Sequence, residues 1–104
     1  MKKLALITGV SRNIGKSICR KFLAEGFRVI GTYNTSVQAA DDLKKEYNDL
    51  TLYQVDFCNE ESTTIFIEKM KAYHFDVVVN NAGTMNFTDD GDIVHEFRDF
   101  SLLA

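Results

Sequence analysis

The 104-residue sequence has no proline, only two cysteines and two histidines, and no apolar run close to the roughly 18 residues that span a membrane. Cys19 and Cys58 have neither a CxxC partner nor the spacing of metal ligands, so we expect small core or helix residues in a reducing compartment. His74 and His95 are isolated along the chain, which favours solvated or capping roles. These absences predict that the chain holds no metal site.

Basic residues are fewer than acidic ones. The chain has 12 lysines and arginines and 15 acids, which gives a formal net charge of −3. Affinity for nucleic acid depends on clustered basic side chains that neutralise phosphates, so we predict no nucleic-acid partner. The start of the chain has two lysines but lacks the longer apolar region and the cleavage site of a signal peptide. We therefore expect a cytoplasmic protein with no membrane partner. No linker or repeat divides residues 1–104, which predicts a single unit.

Short continuous apolar runs alternate with segments of helical periodicity. The runs predict four strands, and the first and fourth read as buried on both faces. The predicted strands cover residues 4–7, 27–32, 50–55 and 75–80.

Between these strands the sequence predicts helices with recognisable ends. The first would bury Ile14, Ile18 and Phe22 and end near Gly26. Side chains suited to capping precede the later helices, at Ser36, Asn59 and Asp92. Alternating strands and helices predict an α/β fold of the Rossmann type, a doubly wound parallel sheet of strand order 3-2-1-4. A ligand crevice is expected between strands 1 and 4, where the order reverses.

Residues 8–15, Thr-Gly-Val-Ser-Arg-Asn-Ile-Gly, lie between the first strand and the first helix. A helix N-terminus presents unpaired N–H groups and a partial positive charge, which suits a pyrophosphate. Gly9 permits a tight turn out of the strand, and Gly15 lets the helix pack closely on the sheet. This segment therefore predicts a phosphate-binding turn.

Three motifs in order make the chain resemble the short-chain dehydrogenase/reductase family. They are Thr8-Gly9 with Ile14-Gly15, then Val55-Asp56, then Val79-Asn80-Asn81-Ala82-Gly83. The resemblance covers the whole chain but only the N-terminal part of a typical family member. It implies that residues 1–104 form a truncated NAD(P)-binding Rossmann domain that lacks the catalytic and substrate-binding portion.

The resemblance also implies roles for individual residues. Those expected at the phosphates and ribose of the cofactor are Gly9, Ser11, Arg12, Ile14 and Gly15. Asp56, with the backbone of Phe57, is expected to bond the adenine, and Asn81, Ala82 and Gly83 are expected beside the ribose region. Asn80 and Asn81 have an alternative structural role, since asparagine often ends strands by bonding local backbone, and both roles can hold together.

One position departs from the family pattern, because Asn13 stands where the family usually has its central glycine. Asparagine tolerates left-handed backbone and can cap a helix. We count Asn13 among the cofactor-binding residues but expect its side chain to crowd the pyrophosphate and weaken binding.

The end of strand 2 suggests which cofactor is preferred. An NAD-binding turn usually places an acid there for the ribose 2′-hydroxyl, whereas this sequence offers the neutral donors Asn34, Thr35 and Ser36. In the family, a basic residue at the position of Arg12 accompanies NADP preference. We therefore predict NADP(H) over NAD(H); the alternative for Arg12 is an exposed loop arginine with no ligand.

The catalytic signature Tyr-x-x-x-Lys is missing. No tyrosine is followed four residues later by lysine, since the pairs are Tyr33 and Val37, Tyr47 and Thr51, Tyr53 and Phe57, and Tyr73 and Val77. Ser101 aligns with the asparagine that the family carries after strand 4. We therefore predict no catalytic residues, and no turnover by this chain alone.

Three interpretations stay open at this point. The first is a piece of an enzyme that carries out NADP-dependent carbonyl reduction or alcohol oxidation. The second is a non-catalytic dinucleotide-binding module that needs a partner chain, and the third is a remnant that binds no ligand. The apolar residues of the last predicted helix suggest a surface for self-association or for a partner chain. They are Phe97, Phe100, Leu102 and Leu103. The substrate cannot be predicted, because the residues that select it in the family are absent.

Overall fold

The computed structural model describes residues 2–81, in which strands and helices alternate. The elements are β1 (Leu4–Ile7), α1 (Asn13–Ala24), β2 (Arg28–Tyr33), α2 (Val37–Glu46), β3 (Leu50–Gln54), α3 (Glu60–Met70) and β4 (Val77–Val79). None of these helices is long and apolar enough to cross a bilayer. The helix expected after Asp92, its apolar partner surface and Ser101 lie outside the described residues.

All four strands are parallel and stand in the order β3-β2-β1-β4, which confirms the predicted topology. In the register of the central strand, Leu6 lies between Ile30 of β2 and Val78 of β4. The carboxyl ends of the four strands therefore meet at one edge of the sheet. The chain order reverses between β1 and β4, where a parallel α/β sheet opens a crevice.

Side chains of β1 alternate between two separate hydrophobic clusters. Leu4 and Leu6 join Phe66 and Met70 of α3 on one face, while Ala5 and Ile7 join Cys19 of α1 on the other. Because β1 is central and covered on both faces, its four residues are all buried, as a parallel strand between helices requires.

The first helix ends in a Schellman motif at the predicted position. The N–H of Gly26 donates to the carbonyl of Leu23 at 3.1 Å, and the N–H of Phe27 donates to that of Phe22 at 3.1 Å. Gly26 has the left-handed φ of +91° that this motif needs. The rings of Phe22 and Phe27 then meet edge to face, with centroids 4.8 Å apart.

The predicted buried stripe of this helix is wrong at its first position. Ile14 is 70% exposed, whereas Gly15 and Cys19 are the buried residues of α1. A spacing of four residues overshoots a helical turn of about 3.6 residues, so Ile14, Ile18 and Phe22 drift across the helix surface. Ile14 also lies in the first turn of a helix that begins at Asn13, next to the loop that leaves β1.

The prediction that β4 is buried on both faces is also wrong. Its three residues, Val77–Val79, are all half-buried. Within residues 2–81, β4 pairs with β1 alone and is therefore an edge strand. An apolar run of this kind is typical of a strand in a parallel sheet, but it does not distinguish a central strand from an edge strand.

The two cysteines differ in their surroundings. Cys19 is fully buried, as predicted, and burial raises the pKa of its thiol to about 11, which keeps it neutral and inert. Cys58 is exposed in the turn before α3, so the expectation of a core or helix residue fails there.

Two predicted helix caps allow a matched test of capping. The side chain of Asn59 accepts a hydrogen bond from the N–H of Ser62 at 2.8 Å, whereas Ser36 occupies the N-cap of α2 without a side-chain hydrogen bond. Asn59→Ala should lower the free energy of unfolding by about 1 kcal/mol, and Ser36→Ala by at most a few tenths. Urea denaturation of both variants measures the difference; equal losses would contradict this account of the caps.

Candidate functional site

The loop that leaves β1 is held against the end of β2 by one buried threonine. The N–H of Gly9 donates to the Oγ1 of Thr32 at 3.1 Å, and the N–H of Val10 donates to the carbonyl of Thr32 at 2.9 Å. Thr32 is fully buried, so these bonds are shielded from water. The first residues of the loop are therefore fixed before the helix begins.

A second buried threonine ties the same loop to the end of β4. The Oγ1 of Thr8 donates to the Oδ1 of Asn80 at 3.1 Å and accepts from the N–H of Asn81 at 2.8 Å. The Nδ2 of Asn81 donates in turn to the carbonyl of Gly9 at 3.2 Å. The structural role considered for the two asparagines is thus present, but their partners lie across the sheet on β1 and its loop.

Gly15 brings the helix directly onto this loop. A Cβ built on Gly15 would lie 1.7 Å from the carbonyl oxygen of Gly9 and 2.4 Å from the Nδ2 of Asn81. Atoms cannot approach that closely, and the nearest one belongs to the backbone. The predicted close packing of helix on sheet is confirmed, and glycine is the residue that permits it.

Two residues of the turn have left-handed backbone, Gly9 with φ 69° and Asn13 with φ 53°. The expected tolerance of asparagine for this conformation is confirmed at Asn13. The expectation that Asn13 caps the helix is wrong, because Asn13 is the first helical residue. Arg12 holds the N-cap position in extended conformation and makes no side-chain cap hydrogen bond.

The N-terminus of α1 is consequently open. It has no side-chain cap hydrogen bond and no acidic residue in its first turn. By contrast, α3 has the Asn59 cap, and Glu60 and Glu61 stand in its first turn. The first N–H groups of a helix have no intrahelical acceptor, and the helix dipole makes them electropositive. Of these two helix ends, α1 is the one that offers its N–H groups to an external anion.

A cleft of about 410 Å³ opens at this helix end, and it collects most of the predicted cofactor residues. The predicted residues that line it are Gly9, Ser11, Arg12, Asn13, Ile14, Gly15, Asn34, Phe57 and Asn81. The end of β2 continues the wall through Tyr33 and on to Ser36. The parallel order of the strands thus brings together residues that lie far apart in sequence.

Asp56 does not join this lining. Its Oδ1 accepts from the N–H of Cys58 at 2.9 Å, and the residue lines a separate cavity between β3 and α3. The structure thus does not bring Asp56 into this lining, and its bond to adenine stays a prediction. The other two predicted residues, Ala82 and Gly83, lie outside the described part of the chain.

Sequence reasoning missed several residues that line the cleft, among them Thr32, Tyr33 and Cys58. Thr32 could have been found from the sequence, because it is a single hydroxyl-bearing residue at the end of a predicted strand, after Val29 and Ile30. Cys58 could not, because its place depends on the turn between β3 and α3. Within residues 2–81, no group of three histidine, cysteine or acidic residues gathers as a metal site.

Gly15→Ala tests the close approach directly. In an ordinary helix interior this change stabilises by up to about 1 kcal/mol, because alanine is the better helix former. Here we expect a loss of about 3 kcal/mol or more in the free energy of unfolding, since the new methyl group overlaps backbone. Gly26→Ala is the matched control, where a Cβ meets nothing within 4 Å and backbone strain alone, about 1–2 kcal/mol, is expected. A neutral or stabilising Gly15→Ala would contradict the packing.

Comparison with known proteins gives a consistent result. The profile of the family described as short chain dehydrogenase matches residues 3–100. The (+)-neomenthol dehydrogenase of Arabidopsis thaliana is 34% identical over 99 residues, which are 86% of this chain and 33% of the plant protein. The 2-dehydro-3-deoxy-D-gluconate 5-dehydrogenase of Pseudoalteromonas atlantica is 35% identical over 89 residues, 80% of this chain and 35% of that protein.

Solved structures share the fold. BdcA of E. coli in complex with NADPH superposes with a TM-score of 0.70 at 29% identity, over 94% of this chain and 41% of BdcA. A putative 3-oxoacyl-reductase of Bacillus thuringiensis gives 0.80 at 23% identity, over 99% of this chain and 52% of the other. The chain thus spans about a third of the curated relatives named above. By the match of its family profile, the chain belongs to the short-chain dehydrogenase family.

Proposed function

We propose that the cleft binds a nicotinamide dinucleotide, with the pyrophosphate against the N-terminus of α1. The observation that carries this proposal is the charge of the lining. Among the described residues that line the cleft there is no carboxylate and one cation, Arg12, although the chain as a whole carries a net charge of −3. A wall free of acids beside an open helix N-terminus suits a ligand with several phosphates.

The residues present fit such a ligand in a second respect. Thr32 accepts from the N–H of Gly9, Asn81 donates to the carbonyl of Gly9, and Asn81 and Thr8 bond each other, so hydrogen bonds within the protein hold the turn. A preorganised turn loses little conformational freedom when a ligand binds, which leaves more of the interaction energy for affinity. BdcA, solved with NADPH, supports the assignment as a relative of the same fold at 29% identity.

The proposed preference is NADP(H) over NAD(H). Asn34, Thr35 and Ser36 line the cleft at the end of β2, and the nearest acids downstream, Asp41 and Asp42, belong to α2 and are not part of the lining. An acid at the end of β2 would repel a 2′-phosphate, whereas neutral donors and Arg12 can bond it. Arg12 is exposed and makes no ion pair with residues 2–81, so its guanidinium is available.

For the chemistry, we propose that this sequence carries the cofactor-binding part of an NADP-dependent oxidoreductase acting on carbonyls or alcohols. Hydride transfer to a carbonyl needs a positioned proton donor, for which the family uses Tyr-x-x-x-Lys. The 104 residues contain no such pair. Binding without turnover is therefore the activity we propose for these residues by themselves.

Arg12→Ala tests the cofactor preference. Loss of one charge-assisted hydrogen bond, worth about 1.5–3 kcal/mol, should weaken NADPH binding roughly ten- to hundredfold and leave NADH binding nearly unchanged. Isothermal calorimetry with both cofactors measures the ratio of the two dissociation constants. Lys16→Ala, which removes a nearby cation that does not line the cleft, is the control. An unchanged ratio in Arg12→Ala would refute the 2′-phosphate assignment.

Asn13→Gly tests whether the departure from the family pattern limits affinity. Glycine adopts the left-handed φ of 53° without strain and removes a side chain from the lining, so NADPH should bind more tightly, by about fivefold. Asn13→Ala, which also loses the amide, should recover part of this gain, but its Cβ at a left-handed φ should lower the free energy of unfolding by about 1–2 kcal/mol relative to Asn13→Gly. Equal affinity of the wild type and Asn13→Gly would show that Asn13 does not crowd the pyrophosphate.

A further inference from the structure

A second cavity lies between β3 and α3, away from the cofactor cleft. It encloses about 400 Å³, and its lining includes Tyr53, Ile65, Phe66 and Lys69. The two cavities share only Val55 among their described lining residues. A dinucleotide in the cleft would therefore leave this groove open.

Three residues of α3 border the groove at a regular interval. Glu61, Ile65 and Lys69 are spaced by four, so they form one ridge that runs obliquely along the helix, and all three line the groove. The backbone positions of the two charged residues are about 12 Å apart along the helix axis, with Ile65 midway. We call these three residues the α3 stripe. Ile65 is 49% exposed, one of the few large hydrophobic side chains at the surface of the described residues.

The charges of the α3 stripe have no opposite partner within residues 2–81. Glu68 and Lys71, elsewhere on the same segment, pair with each other at 3.0 Å. Glu61 and Lys69 form no such pair, and the Nζ of Lys69 lies 5.9 Å from the centroid of the Tyr53 ring. An acid, an exposed apolar residue and a base thus stand in sequence along one groove.

We infer that this surface binds a second copy of the chain. A pattern of acid, apolar residue and base is complementary to itself when it is reversed. A two-fold axis at Ile65 sets two α3 helices antiparallel, so that Glu61 meets the partner's Lys69, Lys69 meets the partner's Glu61, and the isoleucines meet between them. An isologous interface requires this self-complementarity, which a surface of one sign of charge would lack.

The neighbouring strand edge does not provide the contact. β3 is an edge strand of the described sheet, and addition of a strand there would be the other route to a dimer. The Nζ of Lys44 donates to the carbonyl of Leu50 at 2.5 Å, where β3 begins. Lys44 of α2 thus places a charged side chain at the start of the β3 edge, which opposes pairing with another strand there, so the inferred contact is between helices.

The test is a charge swap followed by sedimentation equilibrium of the full chain. Glu61→Lys and Lys69→Glu each replace two attractive pairs by two repulsive ones, and each should weaken dimerisation by about tenfold or more. The double variant E61K/K69E restores opposite charges across the axis and should return to within about threefold of the wild type. Ile65→Asp should also weaken the dimer, because it places like charges on the axis.

Matched controls separate the surface from the fold. Glu60→Lys changes the same charge in the same helical turn, and Thr64→Asp adds the same acid beside Ile65, but neither residue lines the groove. Both should leave dimerisation unchanged, and circular dichroism should show every variant folded. A monomeric wild type would overturn the inference, and so would a dimer that the single reversals do not weaken. Failure of the double variant to regain what the single reversals lose would overturn the antiparallel arrangement.

Discussion

The site depends on the approach of α1 to the end of β1, where no side chain fits between Gly15 and the carbonyl of Gly9. This contact fixes the direction in which the first N–H groups of the helix point. It leaves the loop little room, so the loop must be ordered by short, specific bonds. Thr32 of β2 and Thr8, which directly follows β1, supply these bonds and tie the loop to the ends of β2 and β4.

Buried hydroxyls are well suited to this task in a small sheet. A threonine at the end of a strand packs as a β-branched residue and still offers a donor and an acceptor there. An acid in either position would put a negative charge beside the N-terminus of α1 and compete with a bound phosphate. In Thr32 the same side chain therefore completes the sheet and keeps the cleft neutral.

The sequence predicted what depends on local pattern and chain order. Strand order, the end of α1 at Gly26 and the left-handed Asn13 all follow from periodicity or from the backbone preference of one residue. The errors concern burial, which depends on what packs against each residue. Ile14 is apolar and periodic but is exposed at the cleft, and β4 has the apolar run of a buried strand but pairs with β1 alone within residues 2–81. The α3 stripe could not be chosen from the sequence, because only the structure places its three residues along the same groove.

The place of the cleft along the sheet edge follows from how each helix begins. Parallel strands with helical connections bring the N-termini of α1, α2 and α3 to the same edge. At the N-terminus of α3, the side chain of Asn59 already accepts a hydrogen bond from a backbone N–H, and Glu60 and Glu61 stand in the first turn. The two carboxylates would repel a phosphate there. The other two helices have neither a side-chain cap bond nor an acid in the first turn. An anionic ligand is therefore directed to the region between α1 and the end of β2, although all three helix dipoles point toward the same edge.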